Sequence, residues 1–270
     1  MSRVAAGSAD LQAAGDDYEA FCAGVERLTG VDIGSYKRDQ MERRTRSFAK
    51  AQGKPVLLDY LALLAHDQGE LDSFLDRLTI NVSQLWRNPL QWQALTEQAV
   101  PELAQAGRIR AWSAGCSYGA EVYTLAAICR EAASAVTLEV RGSDIDERMI
   151  ARARQGRFNH ADMRSVPAAS RDRWFEQLAS DWQVRDELKR VAQFEVEDLL
   201  ACAPTPESYD LIACRNTVIY FKKDSRAALH EKLAAALRPG GYLVVGCSER
   251  VIDAASYDLQ LVHPFTYRKS

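Results

Sequence analysis

Residues 108–123 read Arg-Ile-Arg-Ala-Trp-Ser-Ala-Gly-Cys-Ser-Tyr-Gly-Ala-Glu-Val-Tyr, and they leave little freedom in local structure. An apolar strand runs into a turn marked by Gly115 and Gly119. After Glu121, Val122, Leu125, Ala126 and Ile128 recur at helical spacing, so the turn opens a helix. Glycine permits positive φ and lets a ligand approach the backbone without a Cβ in the way. A strand, glycine turn and helix in this order form the first half of an α/β unit that binds a nucleotide or nucleoside. The spacing is neither Gly-x-Gly-x-x-Gly nor a P-loop ending in Lys-Ser/Thr.

The rest of the chain narrows the class. At 270 residues it holds one large domain or two smaller ones. A net charge of −3 argues against a generally basic nucleic-acid binder. The cysteines at 22, 116, 129, 202, 214 and 247 are scattered, without a Cys-x-x-Cys pair, and read as reduced thiols rather than a disulfide framework. The histidines at 66, 160, 230 and 263 show no metal-ligand spacing, so no metal is expected. The first residues lack the apolar core of a signal peptide, and the apolar run 56–65 is interrupted by Asp59 and too short to span a bilayer. The expected location is cytoplasmic.

Residues 1–16 are small and polar and are expected to form a disordered tail. Residues 17–92 show helical periodicity throughout, with faces Phe21/Val25/Leu28, Leu57/Leu58/Leu61/Leu64/Ala65 and Leu71/Phe74/Leu75/Leu78, which predicts an all-helical domain. From 93 to 270 short apolar strands alternate with helices. Strands are expected at 109–113, 137–142, 191–196, 209–214 and 242–246, and helices at 121–132, 146–155 and 225–237. That alternation predicts a Rossmann-like α/β parallel sheet with helices on both faces. The stretch 158–191 breaks the pattern and is expected to be a small antiparallel insert.

Two further strand ends carry polar groups. Asp144 closes the second strand, where an acid accepts hydrogen bonds from both ribose hydroxyls of a nucleoside. Asp146 is placed to cap the following helix, and the bland alternative makes both acids caps. The strand 209–214 breaks into Arg215 and Asn216 and then Tyr220, which brings polar groups to the carboxyl edge where ligands lie in open α/β sheets. Pro239-Gly240-Gly241 precedes the late strand. Together these features resemble a class I S-adenosylmethionine-dependent methyltransferase rather than a nicotinamide enzyme.

The motifs also resemble those of the CheR family of chemotaxis receptor glutamate methyltransferases. That family's glycine turn reads approximately Trp-Ser-Ala-Gly/Ala-Cys/Ala-Ser-Thr-Gly-Glu-Glu-Pro-Tyr, matched here from Trp112 to Tyr123. Its Ser-Asp-Ile-Asp appears at 143–146, its Cys-Arg-Asn-x-x-Ile-Tyr-Phe at 214–221, and its Gly-His-Ser-Glu at 246–249 with Cys247 in place of His. Its Asn-x-Thr-x-Phe-Phe-Arg is approximated by residues 81–87.

The resemblance implies S-adenosylmethionine as cofactor, S-adenosylhomocysteine as product and glutamate carboxylates of a chemoreceptor as acceptor. It implies cofactor contacts from Asn81, Ser83, Arg87, Gly115, Glu121, Asp144, Asp198, Leu199, Arg215 and Asn216. Arg87 and Tyr220 are the candidates for handling the incoming carboxylate. The bland alternatives are an ion pair for Arg87 and Glu121, a loop residue for Asp198 and a packed aromatic for Tyr220.

Lys37, Arg38, Arg43, Arg44, Arg46 and Lys50 form a basic helix, either a solvated face or, as the family implies, the surface that meets the receptor's acidic cytoplasmic bundle. A monomer is expected, with no nucleic-acid partner and no membrane insertion. Ser83, the Leu85-Trp86 pair, Tyr118, Ala120 and Val122 depart from the family pattern, and the insert lacks a glycine-rich hairpin loop. The competing functional reading is a cofactor-binding docking module of a chemosensory array with little transferase activity. A methyltransferase acting on a small molecule is a weaker third, because the basic helical domain would then have no purpose.

Overall fold

The computed structural model describes residues 7–78 and 83–270, with side chains for 17–75 and 83–270. The chain forms two compact units, Met1–Ile80 with Tyr220–Lys222, and Asn81–Ile219 with Lys223–Ser270. The division falls at Ile80 rather than at 92. Leu85, Trp86 and Trp92, expected in the helical domain, are buried in the core of the second unit instead. Helical periodicity does not say which core a helix joins.

The first unit contains helices α1 (Gly7–Thr29), α2 (Arg38–Ala51), α3 (Leu57–His66) and α4 (Gln68–Leu78). Helix α1 begins inside the segment expected to be a tail, where alanine, leucine and glutamine favour helix. Phe21, Tyr60 and Phe74 centre its core, with Phe74 edge-on to Phe21 at 5.8 Å and to Tyr60 at 5.9 Å between centroids. Asp17 caps α3 by accepting from Leu57 N at 3.2 Å and Leu58 N at 3.3 Å, a carboxylate at the positive end of the helix dipole. Tyr60 takes an inward position, while Leu28 and Leu58 are exposed. Residues 220–222 join this unit: Lys37 N donates to Tyr220 O at 2.8 Å, and Lys222 N donates to Ser35 O at 3.0 Å.

The second unit opens with α5 (Pro89–Ala94), which runs through a π-helical stretch, Leu95–Ala99, into α6 (Val100–Ala104). Then follow β1 (Arg108–Ala114), α7 (Ala120–Ala132), β2 (Thr137–Asp144) and α8 (Glu147–Gln155). The insert comprises β3 (Arg157–Asn159), α9 (Ala168–Trp174), β4 (Phe175–Gln177) and β5 (Asp181–Val184). After α10 (Asp186–Lys189) come β6 (Ala192–Val196), β7 (Tyr209–Cys214), α11 (Lys223–Ala236), β8 (Leu237–Val245), β9 (Leu259–His263) and β10 (Thr266–Lys269).

Seven strands form one sheet in the order β6-β2-β1-β7-β8-β10-β9, and β3-β5-β4 form a separate antiparallel sheet, as the broken pattern at 158–191 predicts. Strands β6, β2, β1, β7 and β8 are parallel; β10 runs antiparallel to both β8 and β9. The sequence pattern does not reveal the C-terminal hairpin. Its strands are short and β9 carries the exposed Leu261, so neither shows a clean apolar alternation. On one face Ile109, Ala111, Leu211, Ala213, Tyr242 and Val244 share a core with α7. Connections leave β1 toward β2 on one side and return through β7 on the other, so the topological switch lies between β1 and β7, and the ligand crevice at their carboxyl ends. Among the described residues no helix is long and apolar enough to cross a membrane.

Candidate active site

The carboxyl ends of β1, β2, β7 and β8 carry the turn that opens α7, Asp144, Arg215 with Asn216, and Gly246. In the turn, Gly115, Ser117 and Gly119 all have left-handed φ, at 81°, 49° and 84°. Gly115 N and Cys116 N both donate to Ser143 O at 2.9 Å, which pins the turn to the end of β2. A Cβ on Gly115 would lie 2.5 Å from Thr217 Oγ1, so the turn and the loop after β7 meet where only glycine fits. Gly142 is equally confined, with Val122 Cγ2 2.5 Å from where a Cβ would stand.

Asp144 accepts from Ser117 N at 2.8 Å through Oδ2 and from Asp146 N at 3.0 Å through Oδ1. Burial pushes its carboxyl above the usual range, against the pull of those N–H groups. The N–H of Ile145 also bonds this carboxyl, and two carboxylate oxygens with about four acceptor sites keep capacity beyond these three backbone donors. Asp146 is the N-cap of α8, accepting from Arg148 N and Met149 N.

Arg215 is the keystone of the edge. Its Nε donates to Gln91 Oε1 at 3.0 Å, Nη1 to Glu121 Oε2 at 3.2 Å, and Nη2 to Arg87 O at 2.7 Å and Asn88 Oδ1 at 3.0 Å. The guanidinium also lies over Trp92, 4.5 Å from its centroid. Glu121 completes its bonding with Ser113 Oγ at 2.8 Å. Arg215 and Glu121 therefore form a largely buried ion pair in which four of the five guanidinium N–H groups are bonded within the protein, and Arg87 enters this network through its carbonyl.

Residues 83–88 lie as a strap held at every position. Tyr118 Oη bonds the carbonyl of Ser83, and Gln84 Nε2 donates to Ser165 Oγ at 3.2 Å. Leu85 N donates to Asp162 O at 3.2 Å, and Trp86 N to Thr124 Oγ1 at 3.1 Å. Arg87 O accepts from Arg215 and from Trp92 Nε1 at 2.8 Å, and Asn88 Oδ1 accepts from Arg215. Asn81 lies outside the described residues.

The loops after β7 and β8 are clamped by Glu249. Its Oε2 accepts from Asn216 N at 2.8 Å and Gly246 N at 2.7 Å. Burial raises its pKa, with the N–H groups of Asn216, Gly246, Ile219 and Val218 opposing. Asn216 has a left-handed φ of 60°, and its buried Oδ1 has no partner among the described residues. A buried acceptor left open at this edge matches the donor groups of an amino-acid-bearing nucleoside such as S-adenosylmethionine. Asp198 forms an Asx turn with Leu200 N at 2.8 Å, and Leu199 is buried beside it. Tyr220 ends a 3-10 turn, Val218–Tyr220, and clusters with the helical unit.

Thus Ser83, Arg87, Gly115, Glu121, Asp144, Arg215 and Asn216 gather at one sheet edge, while Asp198 and Leu199 follow the edge strand β6. Gln91, Trp92, Thr124, Asp162 and Glu249 build the site as well, and sequence reasoning assigned them no role. A buried glutamine at the start of α5 shows no signal in periodicity, and Asp162 sits in the irregular segment. Glu249 was visible within the quoted motif, but nothing in its neighbours revealed the clamp.

Residues 81–263 match the family described as "CheR methyltransferase, SAM binding domain", and residues 16–79 match "CheR methyltransferase, all-alpha domain". The chain is 32% identical over 256 residues to a chemotaxis protein methyltransferase of Listeria monocytogenes, covering 94% of this chain and 97% of that one. It is 29% identical to a probable chemotaxis protein methyltransferase of Rhizobium etli, covering 88% and 94%. It is 26% identical to chemotaxis protein methyltransferase 1 of Pseudomonas aeruginosa, covering 88% and 92%. With two domain matches that together span nearly its whole length, the chain belongs to the CheR methyltransferase family and is an S-adenosylmethionine-dependent methyltransferase.

Proposed function

We propose that this enzyme methylates glutamate side-chain carboxylates on the cytoplasmic domain of a chemoreceptor, as a cytoplasmic monomer in chemotaxis or a related chemosensory pathway. The relatives' names support the pathway. The observation that carries the reading is the strap: six consecutive positions, 83–88, are fastened across the carboxyl edge, and the carbonyl of Arg87 is fixed by Arg215 and Trp92.

S-adenosylmethionine, when bound, supplies an electrophilic methyl group on its sulfonium. Ser83, Arg87, the 115–119 turn, Asp144 and Asn216 are the residues that would hold it, with the Asp198-Leu199 turn at its margin. Asp144 offers acceptor capacity toward ribose hydroxyls, and the open Oδ1 of Asn216 accepts from a donor group. A glutamate acceptor has a pKa near 4.3 and is already anionic at neutral pH, so no residue need act as a base. The protein's task is to align that carboxylate and strip water from it. Arg87 positions it by charge-assisted hydrogen bonds.

Helix α2 is the proposed docking surface. Arg38 is paired with Glu42 and Glu19, and Arg46 with Glu42 and Asp17, so part of its charge is neutralised within the helical unit. Arg43 and Lys50 are exposed and suit an acidic partner helix.

Arg87→Ala tests the positioning role. Methyl transfer is expected to fall about a hundredfold, the scale of a misplaced reactant, while S-adenosylhomocysteine binding by calorimetry changes only a few-fold. Equal proportional losses in turnover and binding would remove the role.

A further inference from the structure

Tyr118 occupies a turn position where the family pattern has a small polar residue, and its side chain does something a small residue cannot. The ring is buried, 4% exposed, with the Arg152 guanidinium 3.9 Å from its centroid and Phe158 6.1 Å away, centroid to centroid. Its hydroxyl reaches two acceptors on different segments: the carbonyl of Ser83 in the strap, and Asp162 Oδ1 of the insert at 2.9 Å. A phenol has one proton, so the two acceptors share it.

Asp162 is itself held in place. Its Oδ2 accepts from Asn159 N at 3.0 Å and lies 3.5 Å from Arg152 Nη2. Its carbonyl accepts from Leu85 N. The glycine turn, the strap and the insert therefore converge on one hydroxyl, and α8 lays Arg152 over its ring.

We propose that Tyr118 is a positioning residue for the cofactor site, its hydroxyl latching the Ser83 end of the strap to the glycine turn and to the insert. The proposal rests on the reading that residues 83–88 serve the cofactor. At its far end the strap is fastened independently of Tyr118, through Thr124, Trp92 and Arg215. Losing the latch thus frees the Ser83 end alone. The cofactor must then order that end on binding, and its apparent affinity drops by the fraction of molecules with the strap closed. Once it is bound, Arg87 stands where it did and the chemical step is unchanged.

Tyr118→Phe removes only the hydroxyl, keeping the ring under Arg152. In the full chain it is expected to raise both the S-adenosylhomocysteine Kd by calorimetry and the KM for S-adenosylmethionine about tenfold, the weight of one buried hydrogen bond. The kcat should stay within about twofold, and the melting midpoint should fall by only a few degrees, the cost of one buried hydrogen bond, with the protein fully folded at the assay temperature. Unchanged cofactor affinity in Tyr118→Phe overturns the latch, as does an affinity loss that merely follows a lost folded fraction. Arg87→Ala, measured alongside, separates the two ideas. If Arg87→Ala abolishes transfer and Tyr118→Phe changes nothing, the latch is wrong and the strap reading stands. If Arg87→Ala leaves transfer intact while Tyr118→Phe weakens binding, the role given to Arg87 fails and the latch stands.

Discussion

Arg215→Lys is the sharpest perturbation of the sheet edge. The substitution keeps the positive charge, so it separates charge from geometry. Arg215 serves four acceptors spread around a planar fork, at Gln91, Glu121, Arg87 and Asn88, with its face on Trp92. A lysine ammonium is a point donor on a flexible stem and cannot reach acceptors on opposite sides. If it keeps Glu121 and one other, two charge-assisted hydrogen bonds are lost at about 1.5 kcal/mol each, giving roughly 3 kcal/mol. Loss of the stacking on Trp92 adds about 0.5–1 kcal/mol. For a domain of this size each kcal/mol moves the midpoint by about 2–4 °C, so a loss of about 3.5–4 kcal/mol should lower the melting of the sheet unit by about 7–16 °C.

Scanning calorimetry on wild type, Arg215→Lys, Glu121→Gln and the double variant measures this directly. The two substitutions share one ion pair and should be non-additive by more than about 0.5 kcal/mol. Transfer should fall as well, because the carbonyl of Arg87 loses one of its two anchors. A single variant within about 0.5 kcal/mol of wild type, the range of ordinary surface changes, would refute the keystone role.

Other predictions rest on different parts of the fold. His230 is buried on α11, and burial, then the charge of Arg226, lowers its pKa to about 4. The unfolded chain takes up this proton from about pH 6.5 downward while the folded chain resists until about 4, so stability is whole above 6.5 and drains away across that window. The integrated loss is roughly 3 kcal/mol, and His230→Gln should flatten the pH dependence of urea unfolding between 4 and 6.5. Gly115→Ala, which drives a Cβ into Thr217 at a left-handed φ, should destabilise by about 1–3 kcal/mol and abolish S-adenosylhomocysteine binding in calorimetry; retained affinity would show that the turn tolerates a side chain. Charge reversal at Arg43 and Arg44 should raise the KM for a receptor fragment while leaving S-adenosylhomocysteine binding intact, and unchanged receptor methylation would remove α2 as the docking surface.

The glycine turn shows why so much of this site is legible in sequence. Positive φ at Gly115 and Gly119, an acid at the end of β2 and a polar break after β7 are local signals, and each appears where the sheet places it. The basic helix is likewise visible, yet its internal pairs with Glu19, Glu42 and Asp17 are not, because Arg38 and Arg46 reach acids up to a whole helix away. The same limit hides the strap. Nothing in the run 83–88 reveals that Thr124, Asp162 and Arg215, each far along the chain, supply its partners. Tyr118 stood out only as a departure from the family pattern; its reach to Ser83 and Asp162 gives that departure a physical purpose.

The most direct test of the account is the chemistry of the product. Purified enzyme is incubated with methyl-labelled S-adenosylmethionine and candidate chemoreceptor cytoplasmic fragments, and the labelled receptor is then treated with mild base. A glutamate methyl ester releases its label as methanol under these conditions, and substituting the acceptor glutamates with alanine should abolish incorporation. Label that survives base, or that enters the receptor independently of its glutamates, would contradict carboxyl methylation.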